Sequence, residues 1–386
     1  MERRPTSHRI DAHRNHEFQP RGVKEGGGPD RQAQRNAARA AESSRPTEPA
    51  EIVVLIPVFN DWESLVRLLP RLDSVLAAVG LKADVLVVDD GSTAPPDEIV
   101  GPVSFVALAR VDVLRLRRNL GHQRAIAVGL AYVEDCLHAD AVVIMDGDGE
   151  DDPADVPRLL ARLREEENGK IVFAERSRRS ESVKFRVFYA LYKLLHFALT
   201  GKGVRVGNFS AIPRRRLSSL VVVAELWNHY AAAVFRSRQP YSMVPTRRSE
   251  RLCGRSTMNF VSLVAHGLSA ISVYSDVVGV RLLVMSVLLA LVTLGGIIAA
   301  VIVRLATSWA IPGWASYTVG LLLILFVQAI MAAFVFSFMI LGSRHGSTFL
   351  PRRDYSFFIG ALWTVHGPER SMTPLPVPEP ASDVML

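Results

Sequence analysis

The chain of 386 residues has little cysteine, and its cysteines follow no zinc-binding or disulfide pattern. Its two cysteines, Cys136 and Cys253, lie far apart, and no CxxC pair or Cys/His cluster occurs. A disulfide framework and a zinc site are therefore excluded, and a reducing compartment is expected. The sequence also lacks a Walker A motif, and no GxGxxG follows its first predicted strand. P-loop and nicotinamide-dinucleotide sites are therefore not indicated.

The first 50 residues contain almost no aliphatic side chains. Their mixture of Arg, Gly, Pro, Asn and His cannot bury enough apolar surface to offset the entropy of ordering. We expect residues 1–50 to form a disordered basic leader, either solvated or in contact with lipid head groups or nucleic acid. No uninterrupted apolar stretch of the kind found in secretory signals occurs there, so the following domain is expected to stay in the cytosol.

Apolar residues and positive charge are abundant elsewhere in the chain. Hydrophobic residues make up 49% of the sequence, charged residues 22%, and the net charge is +7. This composition is too apolar for an ordinary soluble protein and predicts segments inside a membrane. The positive charge fits nucleic acid or an anionic membrane surface. Because the basic residues concentrate in the leader and beside the apolar segments, no nucleic-acid partner is expected.

Short β-branched runs alternate with helical patterns after residue 50. The predicted strands are Ile52–Pro57, Asp84–Val88, Val111–Leu116 and Ala141–Met145, and the predicted helices are Trp62–Val79, Ala125–Leu137 and Val156–Leu163. This alternation is typical of an α/β domain with a mostly parallel sheet. Asp152 is predicted to cap the last of these helices, with Pro153 in the first position after the cap.

Two apolar runs near the C-terminus are long enough to cross a bilayer, which takes about 20 residues. They extend over about residues 277–303 and 317–341, and a helical hairpin buried in a soluble core is the alternative. Arginines are dense before the first run and return after the second, which places both termini in the cytoplasm of an inner-membrane protein. Residues 256–276 are expected to lie along the membrane surface as an amphipathic segment.

Two of the predicted strands end in clusters of acidic residues. Asp89 and Asp90 follow the second strand, and Asp146, Asp148 and Glu150 follow the fourth. Ligands of open α/β sheets bind beyond the carboxyl ends of the strands, so both clusters are expected to face one crevice. Carboxylates there suit a base or ribose and a divalent metal that neutralises a diphosphate. A turn and helix cap is the alternative for the first cluster, whereas charge repulsion in the second favours a metal.

The order of these segments resembles the family 2 glycosyltransferases with the GT-A fold. The similarity is to the branch that holds dolichyl-phosphate mannose synthase and bacterial polyprenyl-phosphate glycosyltransferases with two C-terminal membrane helices. The matching segments are residues 53–61, 87–92, 118–122, 146–153, 176–179, 207–210 and 248–256. The resemblance implies a Rossmann-like GT-A domain over residues 51–245, a juxtamembrane segment over 246–276, a two-helix transmembrane region over 277–341 and a cytoplasmic tail over 342–386.

The resemblance also implies a site for a nucleotide-diphosphate sugar and a metal. The implied nucleotide-binding residues are Pro57, Phe59, Asp61, Asp89, Asp90, Asn119 and Asp146. The implied ligands of Mg²⁺ or Mn²⁺ are Asp146, Asp148 and Glu150, and the implied catalytic residues are Asp148, Arg176 and Asn208. Asp61 stands where the family usually has Glu, and His122 stands where it frequently has Lys.

Basic residues match the family's acceptor region in two places. The residues implied to hold the acceptor phosphate are Arg176, Arg178, Arg179, Ser180, Arg248, Arg251 and Ser256. Arginine forks suit a phosphate group geometrically. A solvated basic loop is the alternative for the first group, and an anchor at the membrane surface is the alternative for the arginines before the membrane.

Asn208 stands where relatives commonly carry Asp. An amide cannot act as a general base, so a hydroxyl acceptor would need another base, with Glu225 as the fallback. A polyprenyl phosphate is already anionic and needs none. The prediction is therefore metal-dependent, inverting transfer of one sugar to a polyprenyl phosphate at the cytoplasmic membrane face. Transfer to a lipid or glycan hydroxyl, a non-catalytic nucleotide-sugar-binding membrane protein and assembly into a homo-oligomer are left open.

Overall fold

The computed structural model describes residues 52–93, 104–176, 193–201, 206–253, 260–307, 313–345, 349–367 and 372–373. These residues form an α/β domain around a nine-stranded sheet, together with a long apolar helical hairpin. The predicted leader, residues 1–50, lies outside the described residues. Within the predicted tail, residues 346–348, 368–371 and 374–386 also lie outside the described residues.

The sheet is mixed and mostly parallel near its centre. Its strands are Ile52–Val58 (β1), Ala83–Asp89 (β2), Leu108–Leu116 (β3), Ala141–Ile144 (β4), Ile171–Arg176 (β5), Ser210–Pro213 (β6), Tyr241–Thr246 (β7), Ile359–His366 (β8) and Met372–Thr373 (β9). Their order is β7-β5-β6-β4-β1-β2-β3-β8-β9. Strand β1 runs parallel to β2 and β4, and β2 runs parallel to β3, whereas β6 is antiparallel to β4. The predicted α/β architecture is confirmed.

Helices cover both faces of this sheet and continue into the hairpin. They are Trp62–Ala78 (α1), His122–Cys136 (α2), Val156–Glu165 (α3), residues 193–200 (α4), Arg214–Leu220 (α5), Tyr230–Arg236 (α6), Phe260–Ser272 (α7), Ser275–Ala306 (α8), Trp314–His345 (α9) and Pro351–Asp354 (α10). The Asp152 side chain accepts the backbone N–H of Ala154 at 3.0 Å and so caps the 3₁₀ turn Pro153–Asp155 that precedes α3. The N-cap of α3 itself is Asp155, which makes no side-chain cap bond. Pro153 opens the short 3₁₀ turn that leads into α3.

Strand β1 lies between two hydrophobic cores, which explains its continuous apolar sequence. Val53 and Leu55 belong to the core that contains α2, and Val54 and Ile56 belong to the core that contains α1 and α3. All four side chains are fully buried. A strand covered on both faces has no polar face, so its sequence shows no alternation.

A buried carboxylate on α1 holds the loop that leads into β3. Asp73 Oδ1 accepts the backbone N–H groups of Val106, Ala107 and Leu108 at 3.0, 2.7 and 3.0 Å. The last two of these hydrogen bonds are buried. Asp73 therefore fixes the start of β3 against α1.

We expect Asp73→Ala to lower the free energy of unfolding by about 2–4 kcal/mol, because the backbone N–H groups that it binds lose their acceptor. Asp73→Asn keeps one side-chain oxygen and is expected to lose clearly less. Thermal unfolding of both purified variants beside the wild-type chain measures the difference. Wild-type stability in Asp73→Ala would contradict this role of the carboxylate.

The two long helices α8 and α9 pack against each other as an antiparallel hairpin. Gly279 lies against Ile340, and Gly296 lies against Leu322, so the start of one helix meets the end of the other. Both helices are long and apolar enough to cross a membrane. Only 17% of the most apolar 18-residue stretch of α8 and 6% of that of α9 is buried. A hairpin inside a soluble core would have most of these side chains covered. The predicted spans are thus found, and their exposure favours a membrane over the soluble alternative.

The chain approaches the hairpin through contacts with the α/β domain. Tyr274 is buried beside Ala232 of α6, and Arg236 pairs with Asp276 at the start of α8. Helix α7 occupies most of residues 256–276, the segment predicted to be amphipathic. Its position along a membrane surface stays a prediction.

After the hairpin the chain returns to the same domain. Strand β8 pairs antiparallel with β3, Arg352 pairs with Glu134 of α2 at 2.7 Å, and the Tyr355 hydroxyl donates to Asp135 at 2.8 Å. This segment was expected to belong to the tail, and strand β8 was not predicted, because its partner β3 is distant in sequence. Both ends of the hairpin therefore lie on the same side of any membrane that it crosses.

Candidate functional site

The chain forms a tight acidic loop, residues 146–152, directly after β4. Its carboxylates bind its own backbone: Asp146 N donates to Asp151 Oδ2, and Glu150 N donates to Asp148 Oδ1, both at 3.0 Å. Gly149 has a φ of +83°, and a Cβ there would collide with Leu252. The loop is therefore compact and holds several carboxylates at the carboxyl end of the sheet.

A second segment, Arg248–Cys253, lies across this loop and is called the arginine segment below. Arg251 Nη1 donates to Asp148 Oδ2 at 3.0 Å, and its Nη2 pairs with Asp61 Oδ2. Arg248 pairs with Glu150. The expected binding of phosphate by both arginines stays a prediction. Here they bind three of the carboxylates that the nucleotide and metal sites were expected to use.

Burial and mutual repulsion act on these carboxylates. Burial and the nearby Asp146 carboxylate raise the pKa of Asp148, and the opposing effects of Arg251 and Arg248 do not fully cancel them. Burial is the larger of the two causes, so the shift by itself does not measure the charge balance of the site. Three carboxylates, Asp61, Asp148 and Glu150, share the two arginines, and such oxygen donors fit a divalent cation chemically.

The carboxylates are not arranged around a metal position. Among the residues that the structure describes, no three acidic, histidine or cysteine side chains converge closely enough to hold an ion. Asp148 and Glu150 are instead each paired with an arginine. The expected ligand set of Asp146, Asp148 and Glu150 stays a prediction.

Asn208 lies in a chain of hydrogen bonds beside the acidic loop. The backbone N–H of Tyr230 donates to Gln123 Oε1 at 2.8 Å, so Gln123 Nε2 is left to donate to Asn208 Oδ1 at 3.1 Å. Asn208 Nδ2 then faces His122 Nε2 at 3.0 Å. Because this order is set by a backbone N–H, Asn208 offers an N–H toward His122 and no basic lone pair.

His122 joins this chain to the acidic loop. Its Nε2 lies 3.2 Å from Asp146 Oδ1. Burial lowers the pKa of His122, but the adjacent Asp146 carboxylate and the more distant acids of the loop outweigh that effect and raise it. Gln123, which orients Asn208, was missed by the sequence analysis, because a glutamine in a helix's first turn carries no distinguishing pattern.

Asp89 and Asp90 support the backbone at the end of β2. Asp90 accepts the N–H groups of Leu120 and Gly121 at 2.7 and 2.8 Å, and Asp89 accepts that of Ser92 at 2.8 Å. Both carboxyl side chains are buried. The turn of the turn-and-cap alternative is thus present, whereas α2 begins without a side-chain cap. A contact of either residue with a base or ribose stays a prediction.

Gly91 lets this turn approach the loop before α2. Its φ is +71°, and a Cβ there would lie 2.7 Å from the backbone of Arg118 and Asn119. Gly80 has a similar φ of +67°, but a Cβ there would meet no atom of the described residues within 4 Å. A side chain at either position would thus be strained by the positive φ, but only a side chain at Gly91 would also collide with another backbone segment.

We expect Gly80→Ala to cost about 1 kcal/mol of unfolding free energy from the left-handed backbone alone. Gly91→Ala adds a backbone collision and is expected to cost about 3 kcal/mol or more. Thermal unfolding of the two variants measures the difference. Equal losses would contradict the close approach of the two loops.

The remaining expected residues occupy different positions around this edge. Phe59 and Asn119 are exposed, and Pro57 is buried within β1. Arg176 ends β5, where its backbone is in register with Thr246 of β7. The expected residues Arg178, Arg179, Ser180 and Ser256 lie outside the described residues. The structure thus brings together Asp61, Asp146, Asp148, Glu150, Asn208, Arg248 and Arg251.

Comparisons with known proteins show which family and which relatives the sequence is similar to. Residues 53–218 match the model of glycosyl transferase family 2. The chain is 25% identical over 294 residues to undecaprenyl-phosphate 4-deoxy-4-formamido-L-arabinose transferase from Salmonella paratyphi B, covering 74% of this chain and 85% of the relative. The same similarity is found to the transferase of that name from Salmonella newport.

A solved structure with a similar chain trace is glucosyl-3-phosphoglycerate synthase from Mycobacterium tuberculosis. Its TM-score is 0.43 at 19% identity, covering 63% of this chain and 83% of that one. Mannosyl-3-phosphoglycerate synthase from Rubrobacter xylanophilus has a TM-score of 0.41 at 14% identity, covering 64% and 77%. On the sequence comparisons, residues 53–218 match glycosyl transferase family 2, and the chain is a glycosyltransferase.

Proposed function

We propose that the chain transfers one sugar from a nucleotide-diphosphate sugar to a polyprenyl phosphate at the membrane surface. The observation that carries this proposal is that the two arginines paired with the acidic loop come from the segment next to the apolar hairpin. Arg248 and Arg251 belong to the segment that leads into the apolar hairpin. A polyprenyl phosphate has the matching parts, an anionic head and a tail that stays in the bilayer. The undecaprenyl-phosphate transferases among the relatives support the same acceptor class.

A divalent cation, Mg²⁺ or Mn²⁺, is part of this proposal. Asp146, Asp148 and Glu150 offer the oxygen ligands that such ions prefer. The sharing of two arginines by the three carboxylates of Asp61, Asp148 and Glu150 supports the assignment. When bound, the ion neutralises the diphosphate that leaves. Asp61 shares Arg251 with Asp148, and we assign it a contact with the nucleoside.

The hydrogen bonds of Asn208 support a phosphate acceptor. Because this side chain is held between Gln123 and His122 and cannot accept a proton, a hydroxyl acceptor finds no base at this position. A phosphate oxygen needs none. It attacks the anomeric carbon, the bond from that carbon to the diphosphate oxygen breaks, and the nucleoside diphosphate leaves with the electron pair. One displacement inverts the anomeric centre.

We place the α/β domain and both ends of the hairpin in the cytoplasm, with the hairpin in the inner membrane. The contacts of the domain with chain segments on both sides of the hairpin support a common side. The arginines that flank the hairpin support the cytoplasm as that side. Donor nucleotide sugars and the lipid head group then meet at one surface.

The test uses the purified full chain in detergent with Mn²⁺, undecaprenyl phosphate and a panel of nucleotide sugars. We expect a lipid-linked sugar to form from one donor and its formation to stop when EDTA is added. If a nucleotide binds but every donor leaves the lipid unmodified, the non-catalytic alternative is favoured and the proposed function is wrong.

A further inference from the structure

Two guanidinium groups occupy the place where the proposed function puts a metal and a diphosphate. Arg251 contacts one carboxylate expected to bind nucleotide, Asp61, and one expected to bind metal, Asp148. Arg248 contacts Glu150. The side chains of Arg251 and Arg248 are only 21% and 25% exposed. The arginines therefore act as cations within the site and are more than surface charges near it.

Backbone contacts hold the arginine segment in this position. Ser249 N donates to Glu150 O and Leu252 N donates to Asp148 O, both at 3.0 Å. Ser249 Oγ also donates to Asp152 Oδ2 at 2.9 Å. Arg251 is oriented further by the bond from its Nε to the carbonyl oxygen of Cys253 at 2.9 Å. The placement of the guanidinium groups therefore does not depend on the long arginine side chains alone.

We infer that Arg251 is a counter-ion that makes metal binding and nucleotide binding interdependent, an inference that rests on the proposed function. A cation that arrives alone must take Asp148 from Arg251 and leaves a largely buried guanidinium without that partner. A cation that arrives with a diphosphate supplies new acceptor oxygens for the same guanidinium. The site therefore binds the metal and the diphosphate as a pair and binds either one alone weakly. The coupling is reciprocal by thermodynamic linkage.

The first test measures the binding of Mn²⁺ alone to the full chain in detergent, from the electron paramagnetic resonance signal of free Mn²⁺. Arg251→Ala is expected to bind Mn²⁺ about tenfold more tightly than the wild-type chain, because the competing cation is gone. Arg247→Ala is the matched control, since Arg247 is exposed and its loss removes the same charge from the position directly before the arginine segment. Arg251→Lys keeps the charge and is expected to stay closer to wild type than Arg251→Ala.

Arg251→Ala with the Mn²⁺ affinity of Arg247→Ala would overturn the inference. A thermal unfolding curve of each variant shows whether the chain is folded at the temperature of the measurement. If Arg251→Ala is unfolded there, Arg251→Gln takes its place with the same expected gain, because the amide carries no charge.

The second test repeats the Mn²⁺ titration with UDP and, separately, with GDP. The nucleotide that binds is expected to tighten Mn²⁺ binding in the wild-type chain and to tighten it about tenfold less in Arg251→Ala. Equal coupling in both proteins would contradict the inference. Tighter binding of Mn²⁺ by Arg251→Ala with no lipid-linked sugar from the wild-type chain would keep the inference and reject the proposed function. Unchanged Mn²⁺ binding by Arg251→Ala together with a lipid-linked sugar from the wild-type chain would reject the inference and keep the proposed function.

Discussion

Asp148→Asn is expected to lower the rate of sugar transfer by about 10³-fold. The substitution keeps the size of the side chain and removes the charge that the proposal assigns to the metal and the leaving diphosphate, and one such electrostatic group contributes on this scale. Asp148 is suited to this role by its position, since it lies on the acidic loop beside Asp61 and shares Arg251 with it. Initial rates at saturating donor and acceptor measure the effect.

Glu250→Gln is the matched control for this prediction. It also removes one negative charge near the site, but Glu250 is an exposed residue of the arginine segment. We expect its rate to stay within about twofold of the wild-type rate. Equal losses in Asp148→Asn and Glu250→Gln would show that only the overall charge matters and would contradict the role of Asp148.

Ending the chain after His345 is expected to abolish both stable folding and activity, although all residues of the hairpin and of the acidic loop are still present in the shortened chain. The truncation removes β8 and so exposes the edge of β3. It also removes the ion pair of Arg352 with Glu134 and the hydrogen bond of Tyr355 with Asp135. These two contacts lie on α2, whose first turn carries His122 and Gln123 of the site.

Ending the chain after Gly367 provides the control, because it keeps β8 with all of its contacts to β3. We expect this protein to unfold near the wild-type temperature and to keep at least about half of its activity. The yield of monodisperse protein and the thermal unfolding temperature compare the two truncations. Wild-type stability after truncation at His345 would show that the returning strand is dispensable.

The centre of the sheet could be predicted from the sequence, and its far edge could not. Strands β1, β2 and β4 are short apolar runs bounded by polar residues, and their pattern follows from burial on both faces. Strand β8 has a suitable composition, but it pairs with β3 across the whole hairpin. Local pattern carries no information about a partner so distant in sequence, so the segment was assigned to the tail.

The candidate site was predictable as a set of residues but not as a set of contacts. The acidic residues stand out because they follow a strand end, and Arg251 stands out because it precedes the membrane. That Arg251 joins Asp61 to Asp148 depends on how the arginine segment folds back over the loop. Asp90 shows the reverse case, since its carboxylate accepts two backbone N–H groups that no side-chain pattern reveals.

The mass of the lipid product tests the central claim most directly. The full chain is given its active donor with equal amounts of undecaprenyl phosphate and undecaprenol, and the products are analysed by mass spectrometry. The account predicts a single species that contains one sugar, one phosphate and the polyprenyl chain. A sugar attached to undecaprenol, with undecaprenyl phosphate left unchanged, would contradict it.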